Sequence, residues 1–93
     1  METTNDIEIG QVVRSKAGRD KGRVFVVFDI IDDKYVLIVD GDIRKISKPK
    51  KKKIRHLIVY KTILNELKKK IINKEKFNNA YVRRALSPFN KEI

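Results

Sequence analysis

The sequence predicts a mainly β domain, a small barrel or sandwich of about five strands followed by two short helices, and two observations carry that reading. Short runs rich in Val, Ile, Phe and Tyr recur at close spacing from Ile9 to Tyr60, separated by Gly and Asp turn signals, the pattern of a barrel or sandwich of short strands. After Tyr60 the apolar residues change to three- and four-residue spacing, the period of one helix face.

Taken in order, residues 1–6 carry little to bury, so a loose leader is expected there, with order beginning near Ile7. Strands are expected over 9–15, 23–31 and 34–40, with Asp32-Asp33 turning the second into the third. Asp40-Gly41 is a two-residue hairpin signal, so a fourth strand is expected over 42–47 and a fifth, over 56–60, to close the barrel after the lysine run. Tyr60, Ile63, Leu64, Leu67, Ile71 and Ile72 then form the apolar stripe of a helix of about three turns, with Lys61, Glu66, Lys68 and Lys69 facing water. The stripe is expected to pack on the barrel. Asn78 or Asn79 caps a second helix whose apolar face is Tyr81, Val82, Ala85 and Leu86. Ser87-Pro88 is expected to stop it, since a residue before proline is pushed out of the helical region.

With 93 residues the chain makes one domain, and its folded form buries only about two-thirds of the unfolded surface. Its 23 Lys plus Arg against 12 Asp plus Glu give a net charge of +11, the electrostatic footprint of a nucleic-acid binder. The charge is segregated: 44–55 contains no acid, whereas the first eight residues carry Glu2, Asp6 and Glu8 and no base. Such a field turns one face toward a partner. There is no cysteine for a thiolate or zinc site, and His56 is the single histidine and is assigned no chemistry. The longest apolar runs, Val24 to Phe28 and Tyr35 to Val39, have five residues each, far short of the roughly 20 that cross a bilayer. No membrane partner and no cofactor are expected, and the acidic N-terminus is unlike a signal peptide, so the reading is a cytoplasmic protein. Without a nucleophile-base pair, metal cluster or phosphate-binding glycine motif leading into a helix, no enzyme is expected either.

The densest chemical signal is the segment 10–28, in which two apolar runs enclose a loop of glycines and cations. Arg14, Lys16, Arg19, Lys21 and Arg23 share it with one acid, Asp20, and Gly18 and Gly22 permit tight or left-handed turns. A cluster that dense repels itself unless a polyanion lies against it. The second signal is the acid-free run of Arg44, Lys45, Lys48, Lys50, Lys51, Lys52, Lys53 and Arg55, held between strand signals and stiffened by Pro49. Lysines are flexible point charges suited to tracking a phosphate backbone, while the arginine fork makes directional contacts. Most of Asp20, Asp29, Asp32, Asp33, Asp40 and Asp42 sit at turns, where a short carboxylate bonds its own backbone, and they are read as turn formers instead of acid-base pairs or a cation site. Phe25, Phe28 and Tyr35 are read as core, which leaves no base-stacking platform.

The segment 10–28 resembles the KOW motif of ribosomal proteins and transcription elongation factors, and within that family the KOW domains of large-subunit ribosomal proteins. Asp40-Gly41-Asp42-Ile43-Arg44-Lys45-Ile46 and the basic run from Lys48 to Leu57 support the resemblance, which covers 7–60. It implies an SH3-like barrel over 7–60 whose glycine-and-cation loop touches RNA, with the bare backbone of Gly18 and Gly22 admitting a phosphate or sugar. The remainder, 61–93, departs from the motif and is expected to be a helical extension packed on the barrel. The function implied is RNA binding, to ribosomal RNA above all, through Arg14, Lys16, Gly18, Arg19, Lys21, Gly22, Arg23 and the cations of 44–55. Two further readings stay open: a transcription-elongation or other regulatory protein that meets a ribosomal or transcription partner through its C-terminal helices, and a small double-stranded DNA binder.

Overall fold

The computed structural model describes residues 3–90; the first two residues of the expected leader and the last three of the C-terminal extension lie outside the described residues. Five strands, β1 (Gln11–Ser15), β2 (Val24–Ile30), β3 (Tyr35–Val39), β4 (Lys50–Lys53) and β5 (Leu57–Ile63), form one antiparallel sheet in the order β4-β3-β2-β1-β5. A single 3-10 turn, Ile54–His56, joins β4 to β5. Two helices follow, α1 (Asn65–Ile72) and α2 (Asn79–Asn90). The expected mainly β architecture with two terminal helices is what the chain adopts. Among the described residues no helix is long and apolar enough to cross a membrane.

The unbroken apolar run of β2 has a direct cause. Side chains alternate across a strand, and here both faces of the sheet are covered. One face packs Val13, Phe25, Val27, Val36 and Ile38 with Ile7, Ile54 and Leu57. The other packs Val12, Val24, Val26 and Val39 against Leu67 of α1 and Val82 and Leu86 of α2. A strand buried on both faces reads as continuous Val, Ile and Phe instead of an alternating pattern. Phe28, the extra residue where the β2–β3 register shifts, joins the helix-covered face and meets Phe77 with ring centroids 6.5 Å apart.

Several expectations are corrected. The segment 42–47 is not a strand, and Asp40-Gly41 is not a hairpin turn. The Asp40 carboxylate accepts hydrogen bonds from the backbone N–H of Asp42 and of Arg44, at 2.9 and 2.8 Å, and Gly41 sits at φ +78°. An aspartate that bonds its own downstream backbone curls the chain and withdraws those groups from any ladder. The fourth strand is instead the lysine run itself. At the edge of the sheet it needs a ladder on one side only, and edge lysines block pairing with another chain.

The first helix is shorter than its stripe suggests, because Tyr60 to Ile63 belong to β5, where Ile63 pairs with Gln11. The second begins as expected: the Asn78 side-chain oxygen accepts from the N–H of Tyr81 at 2.9 Å. It does not stop at Ser87 but runs through Pro88 to Asn90. Proline there gives up one helical hydrogen bond and crowds the preceding turn, and Phe89 anchors the last turn against the Tyr60 ring, 6.0 Å away. Order also begins before Ile7. Thr4 is buried, its N–H donating to the Asp33 carbonyl at 2.9 Å and its hydroxyl to the Asp32 carbonyl at 2.6 Å.

Two glycines, Gly10 and Gly41, seat the helices. A Cβ on Gly10 would stand 2.8 Å from the Cβ of Lys68 on α1, and a Cβ on Gly41 would overlap the Asn79 carbonyl oxygen at the start of α2. Gly10 also accepts from the N–H of Leu64 through its carbonyl at 2.8 Å. Arg83 donates to the Gly41 carbonyl at 2.7 Å, and the Asn79 side chain accepts from the N–H of Ile46 at 2.9 Å. The loop 40–48 and α2 are thereby fixed to each other.

Candidate nucleic-acid interface

The loop 16–22 between β1 and β2 is folded around its own acid. Asp20 points inward and is 4% exposed, with Lys52 at 2.9 Å and Lys50 at 3.7 Å. The Ser15 hydroxyl donates to the same Asp20 oxygen at 2.7 Å, and the Lys52 ammonium donates also to the Ala17 carbonyl at 2.9 Å. Burial acts to raise the Asp20 pKa, but the Ser15 hydroxyl and the two ammonium groups outweigh it and hold the carboxyl below the usual range. The backbone closes with Gly22 N–H on the Ser15 carbonyl at 2.7 Å and Arg23 N–H on the Asp20 carbonyl at 3.0 Å.

Directing Asp20 inward decides the electrostatics of the rim. Lys16, Arg19 and Lys21 are exposed, and none of them pairs with a carboxylate among the described residues. Gly18 and Gly22 take φ values of +86° and +90°, so both are left-handed as the turn required. Nothing lies within 4 Å of a Cβ built on Gly22, so a side chain there meets backbone strain and no collision. Gly22→Val is expected to lower stability by about 1 to 3 kcal/mol, and Gly22→Asn by less, since asparagine tolerates this region. Urea unfolding midpoints for the two variants check the order.

The remaining candidate cations are dispersed by the fold. Arg23 leaves the rim to pair with Asp42 at 3.0 Å and Asp40 at 3.4 Å. Arg14 is half-buried on the helix-covered face, its guanidinium 5.6 Å from the Tyr60 ring centre. Arg44, Lys45 and Lys48 lie in or beside the loop docked on α2. The four lysines of β4 separate by parity. Lys52 faces the side of Val36, its register partner, and is buried with Asp20, whereas Lys51 and Lys53 stand on the opposite face. There they lie over Tyr35, with ammonium groups 4.6 and 5.9 Å from the ring centre. Tyr35 is therefore half-buried beneath cations and not a core residue. The alternation Tyr35-Val36-Leu37-Ile38 with Val36 and Ile38 inward carried that signal. Arg55 is exposed on the 3-10 turn, and the carbonyl of its neighbour His56 accepts from Lys16 N–H at 2.9 Å. The structure thus brings Lys16, Arg19, Lys21 and half-buried Lys50 to one end of the sheet and sends Arg14, Arg23 and Lys52 into structural contacts.

No protein-family model matches the chain. It is 41% identical over 51 residues to the large ribosomal subunit protein eL14 of Desulfurococcus amylolyticus, a similarity that takes in 55% of this chain and 53% of that protein. The chain thus aligns with about half the length of that relative.

Proposed function

We propose that the chain is an RNA-binding protein of the large-subunit ribosomal KOW kind, acting in the cytoplasm by holding ribosomal RNA against the loop 16–22. One observation carries this reading: the single acid of the loop is turned inward onto Lys52, Lys50 and Ser15, which leaves Lys16, Arg19 and Lys21 uncompensated at the surface. The partial similarity to eL14 supports it. Binding involves no bond chemistry. The cations neutralise phosphates and release counterions, and selectivity arises from RNA shape and 2′-hydroxyls.

The test is a salt titration with structured RNA and with duplex DNA of the same sequence. If about five phosphates are neutralised, log affinity against log salt falls with a slope near −3.5 to −4.5. The variant K16Q/R19Q/K21Q is expected to reduce that slope by roughly 2 to 2.7 and to weaken binding about 100-fold near 0.15 M salt. Its unfolding midpoint should stay put, because exposed cations contribute little to folding. An unchanged slope in the variant removes the loop from the interface, and a clear preference for the duplex DNA favours the DNA-binding reading instead.

A further inference from the structure

We infer that the chain carries a second oxyanion site, apart from the loop 16–22, in the cavity between the N-terminal segment and the end of β4, and that it takes a backbone phosphate of RNA. The inference rests on the RNA reading above. The cavity, of about 280 Å³, is lined among the described residues by Thr3, Lys34, Lys53 and Arg55, three cations and a hydroxyl. Their backbones are fixed in place. Thr3 is held through the two hydrogen bonds of Thr4 to Asp32 and Asp33. Lys34 is tied through its carbonyl to the N–H of Ile54, at 2.8 Å, the residue between Lys53 and Arg55. The neighbouring acid Asp32 accepts through one oxygen from the N–H of Lys34 and of Tyr35 at 2.8 and 2.9 Å and is not among the described residues that line the cavity.

Convergent cations around a cavity repel one another until an anion enters, which is the arrangement that concentrates oxyanions. Lys53 lies three residues along β4 from Lys50, whose ammonium reaches Asp20. At about 3.3 Å per residue that is roughly 10 Å, beyond the Debye length of about 8 Å at physiological salt. The two clusters therefore act as separate phosphate sites. The Tyr35 ring beside this one favours a nucleotide over a free phosphate, since a base can stack on it when Lys51 and Lys53 turn to the phosphate.

The experiment follows backbone amide resonances of the full chain during titration with a single-stranded RNA hexamer and, separately, with inorganic phosphate. The hexamer is expected to shift the amides of Lys34, Lys53 and Arg55 as well as those of 17–21. The variant K34Q/R55Q, which alters two exposed side chains, is expected to abolish the first set of shifts and keep the second. It should also lower affinity for structured RNA roughly 20-fold near 0.15 M salt, with a slope smaller by about 1.4 to 1.8. Shifts at the cavity with phosphate and none with the hexamer would assign the site to a small phosphorylated ligand and overturn the RNA assignment. Silence with both overturns the site altogether while leaving the loop reading to its own variant. Hexamer shifts confined to the cavity uphold this site and remove the loop.

Discussion

Asp20→Asn is expected to destabilise the protein by about 3 to 5 kcal/mol, because it leaves the buried Lys52 ammonium without its counter-charge. Asparagine keeps the size of the side chain and an oxygen for the Ser15 hydroxyl, so the loss isolates the charge. The Lys52 side chain is 8% exposed, too enclosed for water to replace the carboxylate. Against a total stability of about 5 to 15 kcal/mol for a domain, this removes a large share, and urea unfolding measures it. Restoring neutrality with D20N/K52M should recover part of the loss, since a buried pair replaced by uncharged groups is often tolerated. A single variant as stable as the parent would show the pair to be without structural weight. The same pair sets an acid limit. Asp20 is held below its ordinary pKa in the folded state, so the folded chain binds fewer protons than the unfolded one. The resulting stability is complete above the unfolded Asp value of about 3.9 and is lost as pH falls through the lower folded value. Unfolding midpoints followed downward from pH 5 should therefore drop more steeply for the parent than for Asp20→Asn.

Gly41→Val is expected to cost roughly 2 to 6 kcal/mol, combining left-handed strain with overpacking. Its φ is +78°, and its Cβ would meet the Asn79 carbonyl and lie 3.2 Å from the Arg83 Cγ. Gly22→Val shares the strain but has open space around it, so the difference between the two midpoints measures what close seating of α2 contributes. Equal losses would mean that α2 moves aside without penalty.

Much of the fold was legible because its signals are local. Val, Ile and Phe runs mark β1 to β3, and the change of period after Tyr60 marks the helices. The loop glycines were legible for the same reason, a tight turn needing left-handed residues. What failed depended on partners far along the chain. Nothing within Lys50 to Lys53 distinguishes one lysine from the next; only pairing with β3 sends Lys52 inward to Asp20, 32 residues away, and Lys51 outward over Tyr35. The phenyl and valyl residues of the outer sheet face gave no sign of which helix covers them. Asp40-Gly41 was misread because hairpin turns and side-chain-capped loops use the same residues, and the capping bond to Arg44 is what separates them. Of the candidate site, Lys16, Arg19 and Lys21 stand exposed, whereas the structural use of Arg23 required Asp40 and Asp42 to be brought beside it by the third strand's end.

Burial of the sheet on both faces has a consequence for synthesis. The chain emerges from the ribosome N-terminus first, and all five strands are complete by Ile63, yet Val12, Val24, Val26 and Val39 gain their cover only from Leu67, Val82 and Leu86. A nascent chain that has made every strand still presents a row of valines to water until some 20 further residues have cleared the exit tunnel, a distance set here by the 23 residues from Leu64 to Leu86.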